Sequence, residues 1–133
     1  MAVAVNLDRM VVVRGAAAGA LLAVTAALAN VVLAGQDPKP GALLNLTLLF
    51  LVLGFIVSGL SAGLEATQEA TRHGAAAAML VFLPVEIIGV LGRLDRGEGV
   101  SLFAILFVGL LAASAGTLGA LLGARRKARR SSL

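Results

Sequence analysis

Four long apolar stretches, separated by short polar segments, dominate the pattern of hydrophobic positions along the chain. They cover approximately residues 15–34, 42–64, 73–91 and 102–123. About 20 apolar residues in helical conformation span the ~30 Å hydrocarbon layer of a bilayer. The pattern therefore predicts an all-α fold: a bundle of four transmembrane helices over residues 1–124, followed by a basic cytoplasmic tail at 125–133.

The polar segments between the stretches carry turn and capping signals. The first connection holds two prolines, and we expect Asp37 to cap the second helix with Pro38 as its first residue. Residues 65–72 contain neither Gly nor Pro, so the second helix is expected to continue there into water. Ser101 is the expected cap of the fourth helix.

A cleaved signal peptide is the alternative interpretation of the first apolar stretch. Ala27-Leu28-Ala29 resembles a small-residue cleavage site, and Arg9 and Arg14 precede the stretch. The stretch is nevertheless longer than the 7–15 residues of a signal-peptide core. We therefore expect it to be retained as a helix.

The composition is typical of a membrane protein. Hydrophobic residues make up 59% and charged residues 14% of the 133 positions, whereas soluble domains carry about 25% charged residues. The chain has no cysteine and one histidine, which excludes disulfides and multi-histidine metal or haem sites. We expect no cofactor, no metal site and no enzymatic activity, because no nucleophile–base pair is present. His73 and Glu69, four residues apart, are more typical of an ordinary surface pair.

Basic residues predict the orientation of the bundle. Eight of the eleven lie on the side of the amino terminus, the second connection and the tail: Arg9, Arg14, Arg72, Arg125, Arg126, Lys127, Arg129 and Arg130. The other side has Lys39, Arg93 and Arg96. Basic residues are enriched in cytoplasmic loops, so we expect both termini to be cytoplasmic and the protein to lie in a bacterial inner membrane.

The basic tail has two interpretations. A cluster of this kind attracts anionic lipid headgroups, with about 1 kcal/mol per basic residue. Alternatively, the tail only determines topology. Nucleic acid is not an expected partner, because Trp and Tyr are absent and no aromatic stacking platform accompanies the cluster.

An internal repeat is visible in the small residues. The segment that begins Gly15-Ala-Ala-Ala recurs 59 residues later as Gly74-Ala-Ala-Ala, and the pair Gly59/Gly63 recurs 60 residues later as Gly119/Gly123. The repeat predicts two tandem helical hairpins of the same orientation; biased Ala/Gly composition is the alternative explanation. Glycines four residues apart let helices approach closely. Gly15 and Gly19 form a further pair with this spacing. We expect packing within the chain, with a homo-oligomer as the alternative.

Glu86 is the only ionisable residue well inside an apolar stretch. Carboxyl groups at this depth usually face the bundle interior or a wet cavity. Pro84 leaves the Leu80 carbonyl without its helical donor, so a neutral Glu86 could donate a hydrogen bond to it. The alternative is that Glu86 pairs with Arg93 near the membrane surface.

Three other polar residues are expected at a similar depth. Asn30 lies near the end of the first stretch, and Asn45 and Thr47 lie near the start of the second. If these side chains converge with Glu86, they form a candidate site for a proton or a cation.

Several short motifs resemble a group of small four-span bacterial membrane proteins of uncharacterised function. They are the glycine-rich ends of the second and fourth helices, the His-Gly-Ala-Ala sequence at 73–76 and the Gly-Ala-Arg-Arg sequence at 123–126. The resemblance covers most of the chain and implies the four-span fold without an activity.

The leading functional hypothesis is a non-enzymatic accessory or structural membrane protein, because the connections are too short for a catalytic surface. Such a protein would contact the lipid bilayer and a membrane-protein partner or further copies of itself. The first alternative is a small proton- or cation-coupled transporter that uses Glu86. A holin-like pore former is the second alternative.

Overall fold

The computed structural model describes residues 7–132 as four α-helices. They are α1 (Arg9–Ala34), α2 (Gly41–Glu65), α3 (Ala70–Asp95) and α4 (Leu102–Ser131). Each is long and apolar enough to cross a membrane, and no strand occurs in the described range. The protein is therefore a small all-helical membrane protein, which confirms the predicted fold class. Residues 1–6 of the predicted domain and Leu133 of the tail lie outside the described residues.

Short connections make successive helices antiparallel. Residues 35–40 and 96–101 lie at one end of the bundle, which we call the loop end. The connection 66–69 and both ends of the described chain lie at the other, which we call the terminal end. Around the bundle the helices follow the order α1, α2, α4, α3, and α2 also touches α3 across the middle. Over residues 7–132, α1 and α4 do not contact each other.

The first and third connections test the capping predictions. The Ser101 hydroxyl accepts a hydrogen bond from the Ala104 N–H at 3.3 Å, which confirms this cap. The Asp37 cap is wrong, because α2 begins only at Gly41, after Pro40. Lys39 precedes that proline, and a residue before proline avoids the helical conformation, so a helix cannot start earlier.

The second connection differs from the expected continuous helix. α2 ends at Glu65, and the chain reverses through Glu69, whose φ of 50° is left-handed. The Glu69 carbonyl stabilises this turn because it accepts hydrogen bonds from the N–H groups of Arg72 and His73 at 3.1 and 3.2 Å. The chain therefore reverses between α2 and α3 without a glycine at the left-handed position.

His73 connects this turn to the start of α1. Its side chain is buried, its Nε2 accepts a hydrogen bond from the Asp8 N–H at 2.9 Å, and its Nδ1 donates to the Glu69 carbonyl at 3.0 Å. Both bonds require the neutral ring with its proton on Nδ1. The predicted surface pair with the Glu69 side chain is wrong, since that carboxylate contacts Arg72 at 3.0 Å instead.

The two hairpins pack in the same way. A Cβ added at Gly15 would lie 2.8 Å from the Ser58 carbonyl oxygen and 2.9 Å from the Ala62 Cβ. In the second hairpin, a Cβ at Gly74 would lie 2.5 Å from the Gly116 carbonyl oxygen and would collide with the Ala120 Cβ. Both contacts of Gly15 in the first hairpin therefore recur in the second, 58 or 59 residues later.

Contacts between α2 and α4 relate the hairpins to each other. A Cβ at Gly59 or Gly63 would collide with the carbonyl of Gly116 or Ala120, respectively. Reciprocally, a Cβ at Gly119 or Gly123 would collide with the carbonyl of Ile56 or Leu60. All four pairs are related by a shift of 60 residues, so α2 and α4 contact each other through equivalent faces.

This close packing determines where small and large side chains are placed. Small residues fill most of the interior, and Phe55 and Val81 are the largest fully buried hydrophobic side chains. Large apolar side chains point outwards, such as Leu21 and Phe103, which are 80% and 79% exposed. Such a surface is stable in lipid and would be unfavourable in water.

The α2–α4 contact predicts opposite effects for two Gly→Ala substitutions. Gly59→Ala should lower the free energy of unfolding by about 1–3 kcal/mol, because its Cβ would force the two backbones apart. Gly89→Ala, where a Cβ meets nothing within 4 Å, should leave stability unchanged or raise it by up to ~1 kcal/mol. Titration with sodium dodecyl sulfate in mixed micelles measures both. Equal effects would contradict the packing described.

The His73 contacts predict a structural role for this residue. His73→Phe keeps an aromatic ring but removes the acceptor of the Asp8 N–H, and we expect it to lower the free energy of unfolding by about 1–3 kcal/mol. The same titration measures it, with Gln68→Ala in the adjacent connection as the control. A His73→Phe variant as stable as the parent would show that the two bonds contribute nothing.

Candidate functional site

A cavity of about 390 Å³ occupies the loop end of the bundle. Every helix contributes one face to it, with residues at i, i+3, i+4 and i+7, the spacing of a single helical stripe. The four stripes are Ala27, Asn30, Val31 and Ala34 of α1; Leu44, Thr47, Leu48 and Leu51 of α2; Glu86, Gly89, Val90 and Arg93 of α3; and Ser101, Ala104, Ile105 and Val108 at the start of α4. The volume suits a small ligand.

The cavity lies between the two hairpins. The stripe of α3 is the stripe of α1 shifted by 59 residues, the same shift that relates Gly15 to Gly74. The equivalent positions nevertheless differ in chemistry, since Glu86 corresponds to Ala27 and Asn30 corresponds to Gly89. The stripes of α2 and α4 are 57 residues apart and do not follow the repeat, so only the α1 and α3 sides of the cavity are equivalent.

A single large residue helps to explain why the bundle opens at this end. In the first hairpin, a Cβ at Gly54 would lie 2.7 Å from the Ala23 Cβ, so α1 and α2 stay close at mid-height. The position equivalent to Ala23 in α3 is Phe82, which is buried against Gly109 of α4. The bulk of Phe82 holds α3 and α4 apart just below Val85 and Val108, where the cavity begins.

Two of the predicted polar residues form a hydrogen-bonded pair in this cavity. The Asn30 side-chain amide donates to the Thr47 hydroxyl at 2.7 Å, and that hydroxyl donates to the Leu44 carbonyl at 2.7 Å. The pair connects α1 to α2. Asn45, the third predicted residue, is exposed and does not line the cavity.

Glu86 lines the same cavity and is half-buried. It lies nine residues before the end of α3, which corresponds to about 14 Å along the helix axis. Within residues 7–132 its carboxyl group has no hydrogen bond and no ion pair. The structure therefore contains neither the expected bond to the Leu80 carbonyl nor the expected pair with Arg93, although Arg93 also lines the cavity.

Charged residues of the two loops surround the mouth of the cavity. Arg96 donates two hydrogen bonds to the Glu98 carboxylate at 3.0 and 3.2 Å, and Lys39 lies 3.8 Å from the same carboxylate. The hydrogen bond from Arg96, helped by the nearby positive charges, lowers the pKa of Glu98. The contribution of this pair is therefore complete above the ordinary pKa of a glutamate and is lost as the pH falls through the lowered value. With Arg93, three basic residues and one acidic residue line the mouth, while Asp37 and Asp95 lie at the same end of the bundle outside the lining.

The donor set limits what the cavity can hold. No group of three His, Asp or Glu side chains gathers anywhere between residues 7 and 132. The deep part of the cavity offers one carboxyl group, one amide and one hydroxyl, all oxygen or nitrogen groups on different helices. This set can hold a proton or a single polar group, and it lacks the multiple ligands of a resident metal ion.

The α4 residues that line the cavity and Gly89 were not among the candidates derived from the sequence. The stripe spacing could have identified them, because Ser101, Ala104, Ile105 and Val108 repeat the spacing found around Asn30. This spacing identifies the lining residues only when it is known which face of each helix points to the centre of the bundle. Comparison of the chain with protein-family models, with curated proteins and with solved structures gives no match.

Proposed function

We propose that this protein is a small proton-coupled transporter and that Glu86 is its proton-binding group. One observation carries the proposal: the single deep carboxyl group faces a cavity shared by all four helices. A carboxyl group without a protein partner in such a cavity can exchange its proton with water. A purely structural carboxyl group would instead be paired or turned towards the membrane surface.

The position of the cavity supports transport. In many transporters built from internal repeats, the coupling-ion site lies at the interface between the repeats, deep in the membrane. Here the cavity lies between the two hairpins, and Glu86 occupies its deep part. Movement of one hairpin against the other would change access to Glu86 without breaking either hairpin.

The donor set favours a proton over a metal cation. The deep part of the cavity offers a single carboxyl group, at Glu86, which is enough to bind a proton but too few ligands for a metal ion. Among the residues that line the mouth, Lys39, Arg93 and Arg96 outnumber Glu98, and Asp95 lies close to Arg96 outside the lining. The lining basic groups would attract a small anionic solute.

Each polar residue then has a defined role. Glu86 binds and releases the proton, and its half-buried position limits the competing water. Asn30, held by Thr47, presents an amide to a solute in the cavity. Gly89 leaves open space in the same cavity, because nothing lies within 4 Å of its missing side chain.

The accessory role remains a second candidate, favoured by the packing of the terminal end. There the backbones of α2 and α4 are in direct contact at four glycines, and a transporter must open a path through this region. A cavity that opens only at the loop end suits a protein that binds a ligand or a partner segment without moving it. No observation favours the pore-forming alternative.

Replacement of Glu86 tests the proposal. Glu86→Gln keeps the shape and hydrogen bonding of the side chain but cannot exchange a proton, so proton flux into reconstituted vesicles should fall to the level of empty vesicles. A pH-sensitive dye inside the vesicles reports the flux. Asp95→Asn is the matched control, since it removes a carboxylate from the exposed end of the same helix, outside the cavity.

Two results would contradict the transport proposal. Equal flux in the parent and in Glu86→Gln would show that Glu86 is not the proton site. No flux in the parent, together with a partner that copurifies in stoichiometric amount, would favour the accessory role.

The proposed orientation places both termini in the cytoplasm and the cavity mouth outside. Reporter fusions at Gly41 and Gly97 should therefore read as external, and a fusion after Arg130 should read as cytoplasmic. A variant in which the five basic residues of 125–130 are replaced by Gln should lose this bias, since the remaining basic residues are evenly divided, three on each side. Cytoplasmic readings at Gly41 and Gly97 in the parent would reverse the orientation.

A further inference from the structure

A groove at the terminal end lies between α2 and the last part of α4. It has a volume of about 360 Å³, and its lining consists of Leu60, Leu122, Arg125, Arg126 and Arg129. Leu122 and the arginines form one stripe of α4, at i, i+3, i+4 and i+7. An apolar base thus carries three guanidinium groups at the boundary between the apolar and the charged part of the helix.

The other basic residues of this segment do not belong to the groove. Lys127 points to another side of α4, where it donates a hydrogen bond to the Ala66 carbonyl at 3.1 Å. That bond connects the basic segment of α4 to the 66–69 connection. The segment is helical up to Ser131. Arg130 is exposed and is absent from the lining. The arginines of the groove are therefore carried by a docked helix and not by a free tail.

Acidic side chains nearby are engaged elsewhere. Glu65 contacts Arg14 at 3.7 Å, and Glu69 contacts Arg72 at 3.0 Å. In the described part of the chain, none of the three groove arginines forms an ion pair. The groove consequently presents three positive charges that no described carboxylate neutralises.

We propose that this groove binds the phosphate group of an anionic phospholipid. Guanidinium groups donate paired hydrogen bonds to phosphate oxygens, which suits Arg better than Lys for this purpose. Leu60 and Leu122 lie directly beneath the arginines and would contact the first part of an acyl chain. This site is separate from the cavity around Glu86 and does not depend on transport.

Native mass spectrometry of the full-length protein in detergent tests the site. Titration with dioleoylphosphatidylglycerol should give saturable one-lipid binding, and dioleoylphosphatidylcholine should bind much more weakly. Arg126→Gln should weaken phosphatidylglycerol binding about fivefold. Arg9→Gln, which removes the same charge from the exposed start of α1 at the same end of the bundle, outside the groove, should weaken it much less. Arg126→Lys keeps the charge and should weaken binding less than Arg126→Gln.

The outcomes distinguish a specific lipid-binding site from nonspecific electrostatic attraction to the basic segment. Equal weakening by Arg126→Gln and Arg9→Gln would overturn the site, because only net charge would then matter. Arg126→Lys also serves if the Gln variant does not fold: binding lowered relative to the parent supports paired hydrogen bonds, and unchanged binding overturns them. Inorganic phosphate that competes as well as the lipid would show that the groove takes free phosphate, and the lipid assignment would fail.

Discussion

Direct contact between the backbones of α2 and α4 is the constraint on which the rest of the structure depends. Apolar side chains gain little from helix association in lipid, because the lipid tails are equally apolar. Association must come from close van der Waals packing, and a glycine allows the closest approach. At Gly59, Gly63, Gly119 and Gly123 a single added carbon would meet the carbonyl of the facing helix. The terminal half of the bundle is held together there.

The same constraint produces the cavity at the other end. Helices that touch at the terminal end and cross at an angle diverge towards the loop end, unless large side chains fill the space between them. The first hairpin stays closed through Ala23 and Gly54, while Phe82 separates the second. Beyond Phe82, the α3 residues Val85, Gly89 and Val90 line the space without filling it. Close packing in one half and open space in the other are thus two consequences of one arrangement.

Much of this architecture could be predicted from the sequence, because the signals are periodic and local. Apolar length predicts the four helices, and the recurrence of Gly15 at Gly74 and of Gly59 at Gly119 predicts the paired hairpins. The second connection could not be predicted, since no glycine marks the left-handed turn at Glu69. Three hydrogen bonds to one carbonyl stabilise that turn, and two of their donors belong to His73. A surface pair was expected for His73 because its partner Asp8 is 65 positions away.

The candidate site was predictable only in part, because a shared depth does not determine a shared face. Asn30, Thr47 and Glu86 were placed at one level of the membrane by their distance from the helix ends, and all three line the cavity. Asn45 is at the same level, but two residues before Thr47 it is turned by about 200° around α2. The neighbours of Glu86 depend on the rotation of all four helices about their axes, which the glycine contacts determine.

The two ends of the bundle also differ in how firmly the hairpins are joined. At the terminal end, two hydrogen bonds connect the hairpins in addition to the glycine contacts. They are the bond from the Asp8 N–H to His73 and the bond from Lys127 to the Ala66 carbonyl. At the loop end, the observed link between the two connections is the exposed contact of Lys39 with Glu98, and such ion pairs contribute about 0–1 kcal/mol. The hairpins also pack there through the side chain of Val31 on the buried Gly92, but no backbone-to-backbone glycine contact of the α2–α4 kind is present among the described residues of that end. Separation of the hairpins therefore costs less at the loop end than at the terminal end. Motion of the bundle would widen or narrow the cavity around Glu86 while the glycine-packed end acts as the pivot.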